Sequence, residues 1–531
     1  MPTATDLYLD CNATTPVLPQ ALAAACHTMA QTYGNPSSSH SAGLRAKATL
    51  DQTRELACAL LGVGDGQLLF TSGATEGIQT AVLSALVDLR NRRLRGEATG
   101  SLLVYGATEH KAVPSALAHW NTVLGLGLEI RALPVDRNGR HDLATLAAWL
   151  PQTALLCTMA ANNETGVVSD LPALNALVCQ GPSTLLWLVD CVQALGKMTL
   201  GLHTTRIDYA PFSGHKLYAP KGVGMLYVRA GSPFTALMAG GGQEHGARAG
   251  TENLPGIAAL GAVLQALQQG DTFASTATLT RYRDTLAEAL RAGFPNVVFN
   301  APLDACLPTT LNFCIPGLAS KDVVNLFDAA GLCVSAGSAC SAAKALPSDV
   351  LLAMGLPPEC AASAIRMSWG ALTDDATIAH AAHALRHCGA VATQTGLLAK
   401  GNTPVHTATP TNAAPVNTPF SQPDPLGLDW AELLAFLQSH PQAQLVDVRE
   451  AHEHLASGGL QVDEQTADNA PLSELPQRWD GWLAQSQRPV VFVCRSGKRS
   501  LQAALALQGQ GHQQVLHVLG GLALRPAPST R

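Results

Sequence analysis

Short apolar runs alternate with helix-like stretches along the first two thirds of the chain, and this alternation most constrains its fold. The clearest runs occupy residues 68–70, 102–105, 154–157, 185–189, 207–212 and 223–228. Strands that alternate with helices form a mostly parallel sheet covered by helices on both faces. Since the carboxyl ends of such strands meet at one edge, the polar residues that follow them are expected to form a single site.

Lys216 lies between two of these runs, in the stretch IDYAPFSGHKLYAPKGVGMLY. Pro220 and Gly222 break the chain before the second run, so Lys216 is predicted on a turn at a strand end. A lysine there can form a Schiff base with an aldehyde cofactor such as pyridoxal phosphate. SGHK alone is interpreted more simply as a surface turn, but the other strand ends favour the cofactor.

The first two strand ends carry candidates for phosphate and ring contacts. Residues 68–70 run into TSGATEG and then into a helical stretch. Small residues at a helix N-terminus leave backbone N–H groups free for an anion, so Ala74 and Thr75 are candidate phosphate ligands. His110 follows the next run, where an imidazole can stack on a cofactor, move a proton, or be purely structural.

Two further strands end in amides and carboxylates. Asn162, Asn163 and Glu164 follow one run, and Asp190 follows another, with Gln193 three residues later. A carboxylate directly after five apolar residues is costly to bury without a partner. A protonated pyridine nitrogen is such a partner, and the pairing makes the cofactor an electron sink.

The composition is that of a globular protein with large cores. The 531 residues, 47% hydrophobic and 14% charged, indicate two to four domains. A net charge of -6 without a long basic run argues against a nucleic-acid or anionic-membrane surface. Neither a signal peptide nor a membrane-spanning segment is recognisable, so a cytoplasmic location is expected.

The thirteen cysteines are scattered and never spaced as CxxC, which fits neither a disulfide scaffold nor a zinc site. His380, His383 and His387 fall on one helical face, for which a solvated surface is favoured over a metal cluster. No metal is therefore expected. Only Cys340 and Cys494 lie in sequence contexts that indicate a chemical role for the thiol.

The motifs of the first two thirds occur in an order that resembles a known family. In chain order they are ATTP, GNPSS, TSGATE, TEHKAV, NNETG, VDxxQxxGK, SGHKxxxPKGVG, GGGQE, RAGTEN and GSACS. This order resembles the cysteine desulfurases, pyridoxal-phosphate enzymes of fold type I, over residues 8–387. The resemblance implies an α/β protein with a large mixed, mostly parallel sheet domain and a small α+β domain.

The resemblance also implies the contacts of the cofactor and the substrate. On the cofactor ring they are a Schiff base with Lys216, stacking by His110, pairing of the pyridinium nitrogen with Asp190, and contact of the ring hydroxyl with Gln193. The implied phosphate site comprises Ala74, Thr75, Ser213 and His215, with Thr251 contributed by the neighbouring subunit of a homodimer. Asn163 would contact the cofactor and, with Arg366, the substrate carboxylate. His245 stands where the family has an arginine.

Cys340 lies among small residues in VSAGSACSAAKALPSD. A helix start with a buried cysteine is the simpler interpretation, but beside a cofactor site a mobile loop carrying a nucleophile is favoured. Its thiolate would attack the substrate sulfur and leave alanine and a persulfide, assisted by His110 or the substrate amine. The length of this loop resembles the desulfurases that deliver sulfur to acceptor proteins.

From residue 389 the periodic pattern dissolves into a stretch rich in Thr, Ala, Asn and Pro, which predicts a flexible linker over residues 389–425. About 35 residues of coil reach roughly 30–35 Å. A domain behind the linker could therefore visit the site of either subunit.

The tail begins with a predicted helix at residues 430–440 and a strand at 444–450. A buried strand at 490–494 then leads into CRSGKRS and another helix, where backbone N–H groups and the helix dipole stabilise an anion. Positive residues in the loop would add to this effect. The candidate loop comprises Cys494, Arg495, Ser496, Gly497, Lys498 and Arg499.

Four residues separate Cys494 from Arg499, one fewer than in a phosphatase loop. The tail resembles the rhodanese sulfurtransferases over residues 426–521, through LVDVRE, HEHLASGG, ADNAPLSELP, CRSGKRS and LGG. Asp447 and Arg449 are expected to form a structural ion pair. DEQT replaces the family's His-Ile-Pro-Gly stretch, and the usual tryptophan near the end is absent.

Together these patterns predict a desulfurase domain at residues 1–388, a linker at 389–425 and a small α/β rhodanese-like domain at 426–531. The predicted reaction converts L-cysteine to alanine, with the sulfur carried by Cys340, passed to Cys494 and delivered to acceptor proteins such as an iron–sulfur scaffold. Neither a membrane nor a direct nucleic-acid partner is expected.

Two alternatives remain open. One is a pyridoxal-phosphate lyase or aminotransferase on another amino acid such as selenocysteine, with the tail an independent thiosulfate sulfurtransferase. The other is a tail that only recruits a sulfur acceptor.

Overall fold

The computed structural model describes residues 6–337, 347–398 and 424–526. Cys340 and most of the predicted linker lie outside the described residues. Within the described ranges, no helix combines the length and the apolar character needed to span a bilayer.

A seven-stranded mixed sheet forms the centre of the first unit. The chain starts with β1 (Leu7–Tyr8), which pairs elsewhere, and then supplies β2 (Gln67–Thr71), β3 (Leu102–Gly106), β4 (Glu129–Leu133), β5 (Thr153–Met159), β6 (Leu186–Asp190), β7 (Tyr209–Ser213) and β8 (Gly224–Val228). They lie side by side in the order β2-β8-β7-β6-β5-β3-β4. Only β8 runs antiparallel to its neighbours in this sheet, which confirms the predicted mostly parallel arrangement.

Helices cover both faces of this sheet. They are α1 (Pro19–Gln31), α2 (Ser41–Leu61), α3 (Ala74–Leu94), α4 (Ala112–Val123), α5 (Leu143–Trp149), α6 (Leu171–Gln180) and α7 (Leu254–Gln269). Successive strand residues point to opposite faces, so Leu155 packs in the core under α3 and α4 while Leu156 packs in the core under the other five helices. Both faces of the strands are therefore apolar, as the continuous apolar runs predict.

The small unit has an α+β arrangement. Its strands are β9 (Val298–Phe299), β10 (Thr310–Cys314), β11 (Leu332–Cys333), β12 (Ser335–Ala336) and β13 (Ile365–Ser368). Its helices are α8 (Thr276–Gly293), α9 (Ser320–Ala329), α10 (Asp349–Ala353), α11 (Pro358–Ser363) and α12 (Asp375–Gln394). The antiparallel sheet has the order β12-β13-β10-β9, and β11 pairs in parallel with β1.

Helix α12 runs past residue 389, where the linker was predicted to begin, because its last turns are packed into the small unit. Val391 and Ala392 are buried in the same core as α8 and α9. Gly389 lets α12 approach α8 closely, since a Cβ there would lie 2.1 Å from the carbonyl oxygen of Gly293. The composition of this stretch resembles a linker, but its packing stabilises a helix. His380, His383 and His387 lie exposed on the same helix, as expected.

The tail is a separate small α/β unit. Its strands are β14 (Gly427–Leu428), β15 (Gln444–Asp447), β16 (Gln461–Val462), β17 (Gln465–Thr466), β18 (Asp468–Asn469), β19 (Val490–Val493) and β20 (Val515–Val518). Five of them form a parallel sheet in the order β14-β20-β19-β15-β18. The helices are α13 (Trp430–Ser439), α14 (Ala451–Ala456), α15 (Trp479–Leu483) and α16 (Lys498–Gly509).

β15 ends three residues before the predicted end at residue 450. The Asp447 carboxylate accepts a hydrogen bond from the backbone N–H of Arg449 at 3.0 Å, which turns the chain. The Arg449 guanidinium pairs with the same carboxylate at 2.7 Å, and the pair is buried. Asp447 and Arg449 therefore form the expected structural ion pair.

We expect Gly389→Ala to destabilise the small unit by about 1–3 kcal/mol, because the added methyl group overlaps the backbone of Gly293 and forces α8 and α12 apart. Thermal unfolding followed by calorimetry measures the effect. The matched control His387→Ala changes an exposed position on the same helix and should shift stability by less than about 0.5 kcal/mol. Identical transitions for both variants would contradict the close approach of the two helices.

Candidate functional site

A cavity of about 560 Å³ opens at the carboxyl edge of the large sheet. Its wall is made by residues that follow β2, β3, β5, β6 and β7, together with residues of the small unit. Of the predicted cofactor and substrate residues it brings together Ala74, Thr75, His110, Asn163, Asp190, Gln193, Ser213, His215, Lys216 and Arg366. Residues predicted at separate strand ends thus line one cavity.

Lys216 lies on a short turn, Gly214–Lys216, that follows β7 directly. The backbone N–H of Gly214 donates to the carbonyl of Val223 at 2.9 Å and closes the turn against β8. The Lys216 Nζ donates to the backbone carbonyls of Asn12 and Ala13, both at 2.7 Å. The amine is thereby held at the cavity wall by neutral acceptors.

Asp190 is the last residue of β6 and is buried. Its Oδ1 accepts a hydrogen bond from the backbone N–H of Val192 at 2.9 Å. Burial raises the pKa of the Asp190 carboxyl above its ordinary value, against the opposing effects of Val192, His110 and Lys216. A further cation at this carboxylate would offset the cost of burial, and a pyridinium N–H fits that requirement.

His110 follows β3 and faces the same cavity. Loss of solvent lowers the pKa of its imidazole, and the positive charge of Lys216 adds to this effect, whereas Asp190 opposes it. The ring is therefore neutral near pH 7. A neutral imidazole can both stack on an aromatic ring and accept a proton.

The phosphate candidates meet where α3 begins. A Cβ on Gly224 would lie 2.6 Å from the Cα of Gly73, and one on Gly73 would lie 3.7 Å from the Ser213 Oγ. Because these two glycines have no side chain, the N-terminus of α3 can lie close to the end of β7. Free N–H groups at Ala74 and Thr75 and the Ser213 hydroxyl therefore converge, which suits an anion.

His215 completes this cluster. Its Nδ1 lies 3.2 Å from the Thr14 hydroxyl, and burial lowers the pKa of the imidazole to about 4, with Lys216 and Lys221 adding to the shift. The ring is therefore neutral near pH 7 and offers a hydrogen bond rather than a charge. Thr251 lies exposed and outside the wall of this cavity.

Arg366, on β13, brings a buried positive charge to the wall of the cavity. Its Nη2 pairs with Asp10 at 2.6 Å, and its Nη1 donates to the carbonyl of Asn163 at 3.1 Å. The buried Nε has no hydrogen-bond acceptor among the described residues. An N–H of this kind fits a carboxylate ligand, which is the role expected of Arg366.

Two ionisable residues, the half-buried Lys197 and the buried Glu109, were not assigned from the sequence. Lys197 donates to the Gln193 Oε1 at 2.6 Å, and burial lowers the pKa of its amine to about 8. Burial, with the charge of Asp190, raises the pKa of Glu109 well above its ordinary value. Both residues stand inside the motifs VDxxQxxGK and TEHKAV, so a charged residue within a family motif was the available signal.

Glu164 lies on the wall of the same cavity and is buried. The Ser348 hydroxyl donates to its Oε2 at 2.5 Å, and the same hydroxyl caps the first turn of α10. Burial raises the pKa of Glu164 to about 7, opposed by Ser348 and Arg366.

Several predicted residues lie elsewhere. The nucleophile Cys340 falls outside the described residues. His245 is exposed on a turn, beside the buried Glu244 that pairs with Arg54 at 2.6 Å. Neither His245 nor Thr251 lines the cavity within this chain.

The loop at Cys494 joins β19 to α16. The Cys494 Sγ is buried and accepts a hydrogen bond from the backbone N–H of Ser500 at 3.3 Å, in the first turn of the helix. Gly497 has a left-handed φ of 84°. A Cβ on Gly521 would lie 2.1 Å from the Cys494 carbonyl, so both glycines permit the tight loop.

The positive charge expected around Cys494 is largely paired with carboxylates. Arg499 forms a fork with the buried Glu453 at 2.6 and 2.7 Å. Arg495 reaches out of the tail to Asp328 on α9, and Lys498 is exposed. An anion at Cys494 would therefore be stabilised by backbone N–H groups and the helix dipole more than by net charge.

Two family descriptions match the chain. Aminotransferase class-V matches residues 7–379, and the rhodanese-like domain matches residues 429–524. A cysteine desulfurase of Cereibacter sphaeroides is 39% identical over 375 residues, which are 70% of this chain and 92% of that protein. The cysteine desulfurase NifS of Azotobacter vinelandii is 34% identical over 70% of this chain and 90% of its own length.

Solved structures agree with these relatives. A NifS-like protein superposes with a TM-score of 0.64 at 30% identity, over 72% of this chain and 98% of its own. DndA from Streptomyces lividans superposes with a TM-score of 0.54 at 31% identity, over 67% of this chain and 98% of its own.

The raised pKa of Glu164 predicts a pH-dependent cost to stability. Between pH 4.5 and about 7 the unfolded chain loses this proton while the folded chain keeps it, so stability falls as the pH rises. Glu164→Gln removes the titration and keeps an acceptor for Ser348. We expect the variant to gain about 2–3 kcal/mol over the parent protein between pH 5 and pH 8.

Urea unfolding at several pH values, with saturating cofactor, measures this difference. The matched control Glu288→Gln alters an exposed glutamate on α8 and should follow the parent protein at every pH. Parallel curves for Glu164→Gln and the parent protein would contradict the assignment.

Proposed function

Because the chain belongs to the class-V aminotransferase family, as a cysteine desulfurase followed by a rhodanese-like domain, we propose that it mobilises sulfur in two connected steps. In the first step, sulfur from L-cysteine is taken up by Cys340, and in the second it passes to Cys494 for delivery to an acceptor. The observation that carries the proposal is the cavity at which Lys216, Asp190 and Arg366 meet, on a chain that also bears an intact Cys494 loop.

The enzyme depends on pyridoxal phosphate, and the cavity residues fit this cofactor. Asp190 offers a buried carboxylate to the ring nitrogen, Lys216 offers its amine to the aldehyde, and the start of α3 offers N–H groups to the phosphate. When bound there, pyridoxal phosphate withdraws electrons from the α-carbon of the substrate.

The protein residues orient the substrate and handle its protons. Arg366 and Asn163 hold the substrate carboxylate, with the buried Nε of Arg366 available for it. His110, neutral because its pKa is lowered, accepts a proton from the substrate. Lys216, held by two carbonyls, exchanges protons at the α-carbon.

Cys340 then takes the sulfur atom. Its thiolate attacks the substrate sulfur, and the carbon–sulfur bond breaks with its electron pair left on carbon. Protonation of that carbon gives alanine. The sulfur remains on Cys340 as a persulfide. No external oxidant or reductant is required for this step.

The acceptor stage is assigned to the tail. Cys494 receives the outer sulfur atom and passes it to an acceptor protein. This acceptor is an iron–sulfur scaffold or a protein of another thio-cofactor pathway. We assign the enzyme to the cytoplasm as a homodimer, in which the exposed Thr251 reaches the phosphate site of the partner subunit.

Lys216→Ala should abolish the visible absorption of the lysine-bound cofactor and reduce alanine formation from L-cysteine by about a thousandfold or more, because no other group supplies the Schiff-base nitrogen. Absorption spectra and single-turnover alanine assays measure both effects. The control Lys47→Ala removes an exposed lysine paired with Asp51 on α2 and should leave both unchanged. Retained absorption and turnover in Lys216→Ala would refute the first step.

Cys494→Ser should leave single-turnover alanine formation intact and remove the persulfide from the tail. Mass spectrometry of tail peptides after incubation with L-cysteine measures this. The control Cys179→Ser changes an exposed cysteine on α6 and should leave tail labelling unchanged.

Two outcomes would refute the second step. One is equal labelling of the tail in Cys494→Ser. The other is labelling of Cys494 by thiosulfate but never by L-cysteine, which would establish an independent sulfurtransferase.

A further inference from the structure

Lys197 supports the cavity wall through Gln193. The amine of this half-buried lysine donates to the side-chain oxygen of Gln193 at 2.6 Å. Gln193 is 2% exposed and lines the cavity, three residues after the end of β6. Lys197 does not line the cavity itself. Any effect of Lys197 on a ligand there must therefore pass through a neighbouring residue or through its charge.

The two neighbours of the Gln193 amide determine which way it points. Lysine offers N–H groups, so the atom that accepts from Lys197 is the amide oxygen. On the other side, the Gln193 Nε2 donates to the backbone carbonyl of Asn12 at 3.1 Å. A rotation of the amide by half a turn would place its nitrogen against the Lys197 amine and its oxygen against the Asn12 carbonyl. Both neighbours therefore select the same orientation.

This orientation provides an N–H group for the cavity. The Gln193 Nε2 carries two N–H groups, and the Asn12 carbonyl accepts one of them. The other is available to an acceptor on a ligand, because Gln193 lines the cavity. The contact predicted for Gln193 is with the ring hydroxyl of pyridoxal phosphate, whose oxygen is such an acceptor.

The Asn12 carbonyl connects this amide to the lysine that carries the cofactor. It accepts from the Lys216 Nζ at 2.7 Å as well as from Gln193. Asn12 is buried and fixed by the small unit, because its backbone N–H donates to the Ser368 hydroxyl and its side-chain nitrogen to the Thr310 hydroxyl, both at 2.9 Å. One buried acceptor thus holds Gln193 and Lys216 relative to each other.

We propose that Lys197 is a positioning residue that holds the Gln193 amide with an N–H group toward the ring oxygen of pyridoxal phosphate. This inference rests on the proposed function and specifies how the cofactor site is tuned. When the Schiff base at Lys216 loses its proton, the ring oxygen keeps its negative charge and loses the N–H group that it shared with the Schiff base. A hydrogen bond from Gln193 therefore stabilises the deprotonated form most and lowers the pKa of the Schiff base.

A direct effect of the Lys197 charge on the Schiff base is a different mechanism, and the two are separable. A nearby positive charge lowers the pKa of the Schiff base whether or not Gln193 is present. A positioning residue has no effect once Gln193 is removed. A double-mutant cycle therefore distinguishes the two mechanisms.

Further titratable groups surround the two lysine amines. They are Cys11 and Arg366 at Lys197, and His110, Asp190 and His215 at Lys216. These groups are the same in every variant of the cycle, so their effects cancel when the variants are compared. The Lys197 amine carries N–H groups in both its charged and its neutral form, so donation to Gln193 persists as the pH rises.

The cycle comprises the full-length holoenzymes of Lys197→Met, Gln193→Ala and the double variant. The visible absorption of the lysine-bound cofactor is titrated against pH. We expect each single variant to raise the midpoint of this titration by about 0.5–1 pH unit, because each removes the hydrogen bond to the ring oxygen. The double variant should show the shift of Gln193→Ala alone.

Two control variants accompany the cycle. Lys197→Arg keeps N–H donors at this position and should retain the parent midpoint. Lys321→Met removes an exposed lysine from α9 and should also retain it. Thermal unfolding of each holoenzyme confirms that the compared variants are folded. A midpoint raised equally by Lys321→Met would contradict the positioning role, because any lost positive charge would then suffice.

The outcomes separate this inference from the proposed function. An unchanged midpoint in Lys197→Met would overturn the positioning role and leave the proposed function intact. A shift that persists in full when Gln193 is already alanine would do the same, because it would establish a direct effect of charge. A parent protein without the visible absorption of a lysine-bound cofactor would overturn the proposed function, and the inference with it.

Discussion

Ionised side chains are buried together at the carboxyl edge of the large sheet, and the rest of the structure depends on keeping them paired. An unpaired buried charge costs several kcal/mol, so each must find a partner in the chain or in a ligand. Arg366 is neutralised by Asp10, and Lys216 is held by two carbonyls. Burial raises the pKa of Asp190, and a cation supplied by a ligand would offset this cost.

The same pairs attach the small unit to the cavity. Asp10, which pairs with Arg366 of β13, also accepts a hydrogen bond from Ser335 of β12 at 2.6 Å. Ser348, at the start of α10, donates to Glu164 on the cavity wall. Residues on both sides of the range 338–346 are therefore anchored to the cavity by polar contacts. These hydrogen bonds hold the small unit against the cavity. They lie just before and just after the segment that contains Cys340.

Charge pairing also shapes the tail. The two arginines of its loop pair with carboxylates, Arg499 with the buried Glu453 within the tail and Arg495 with Asp328 in the small unit. What remains for an anion at Cys494 is the N-terminus of α16 with its backbone N–H groups. The arginines thus hold the loop in place, and the helix provides the electrostatic stabilisation.

Local sequence patterns were sufficient to predict the strands and the polar residues at their ends, and to recognise the two family resemblances. Continuous apolar runs indicate strands buried on both faces, and Lys216, Asp190 and His110 follow such runs within one or a few residues. Residue composition was a poor guide at Gly389, because packing of Val391 and Ala392 in the core shared with α8 and α9 stabilises a helix there. Local patterns also gave no indication of which distant residues form ion pairs or hydrogen bonds with each other.

The sequence by itself thus determined which elements form and which side chains stand at their ends, since both follow from residues close in the chain. Only the tertiary structure decided the pairs Arg366–Asp10, Glu164–Ser348 and Arg495–Asp328, whose members are separated by more than 160 residues. Such pairs have no periodic signal, because burial and charge balance select them only after the chain has folded.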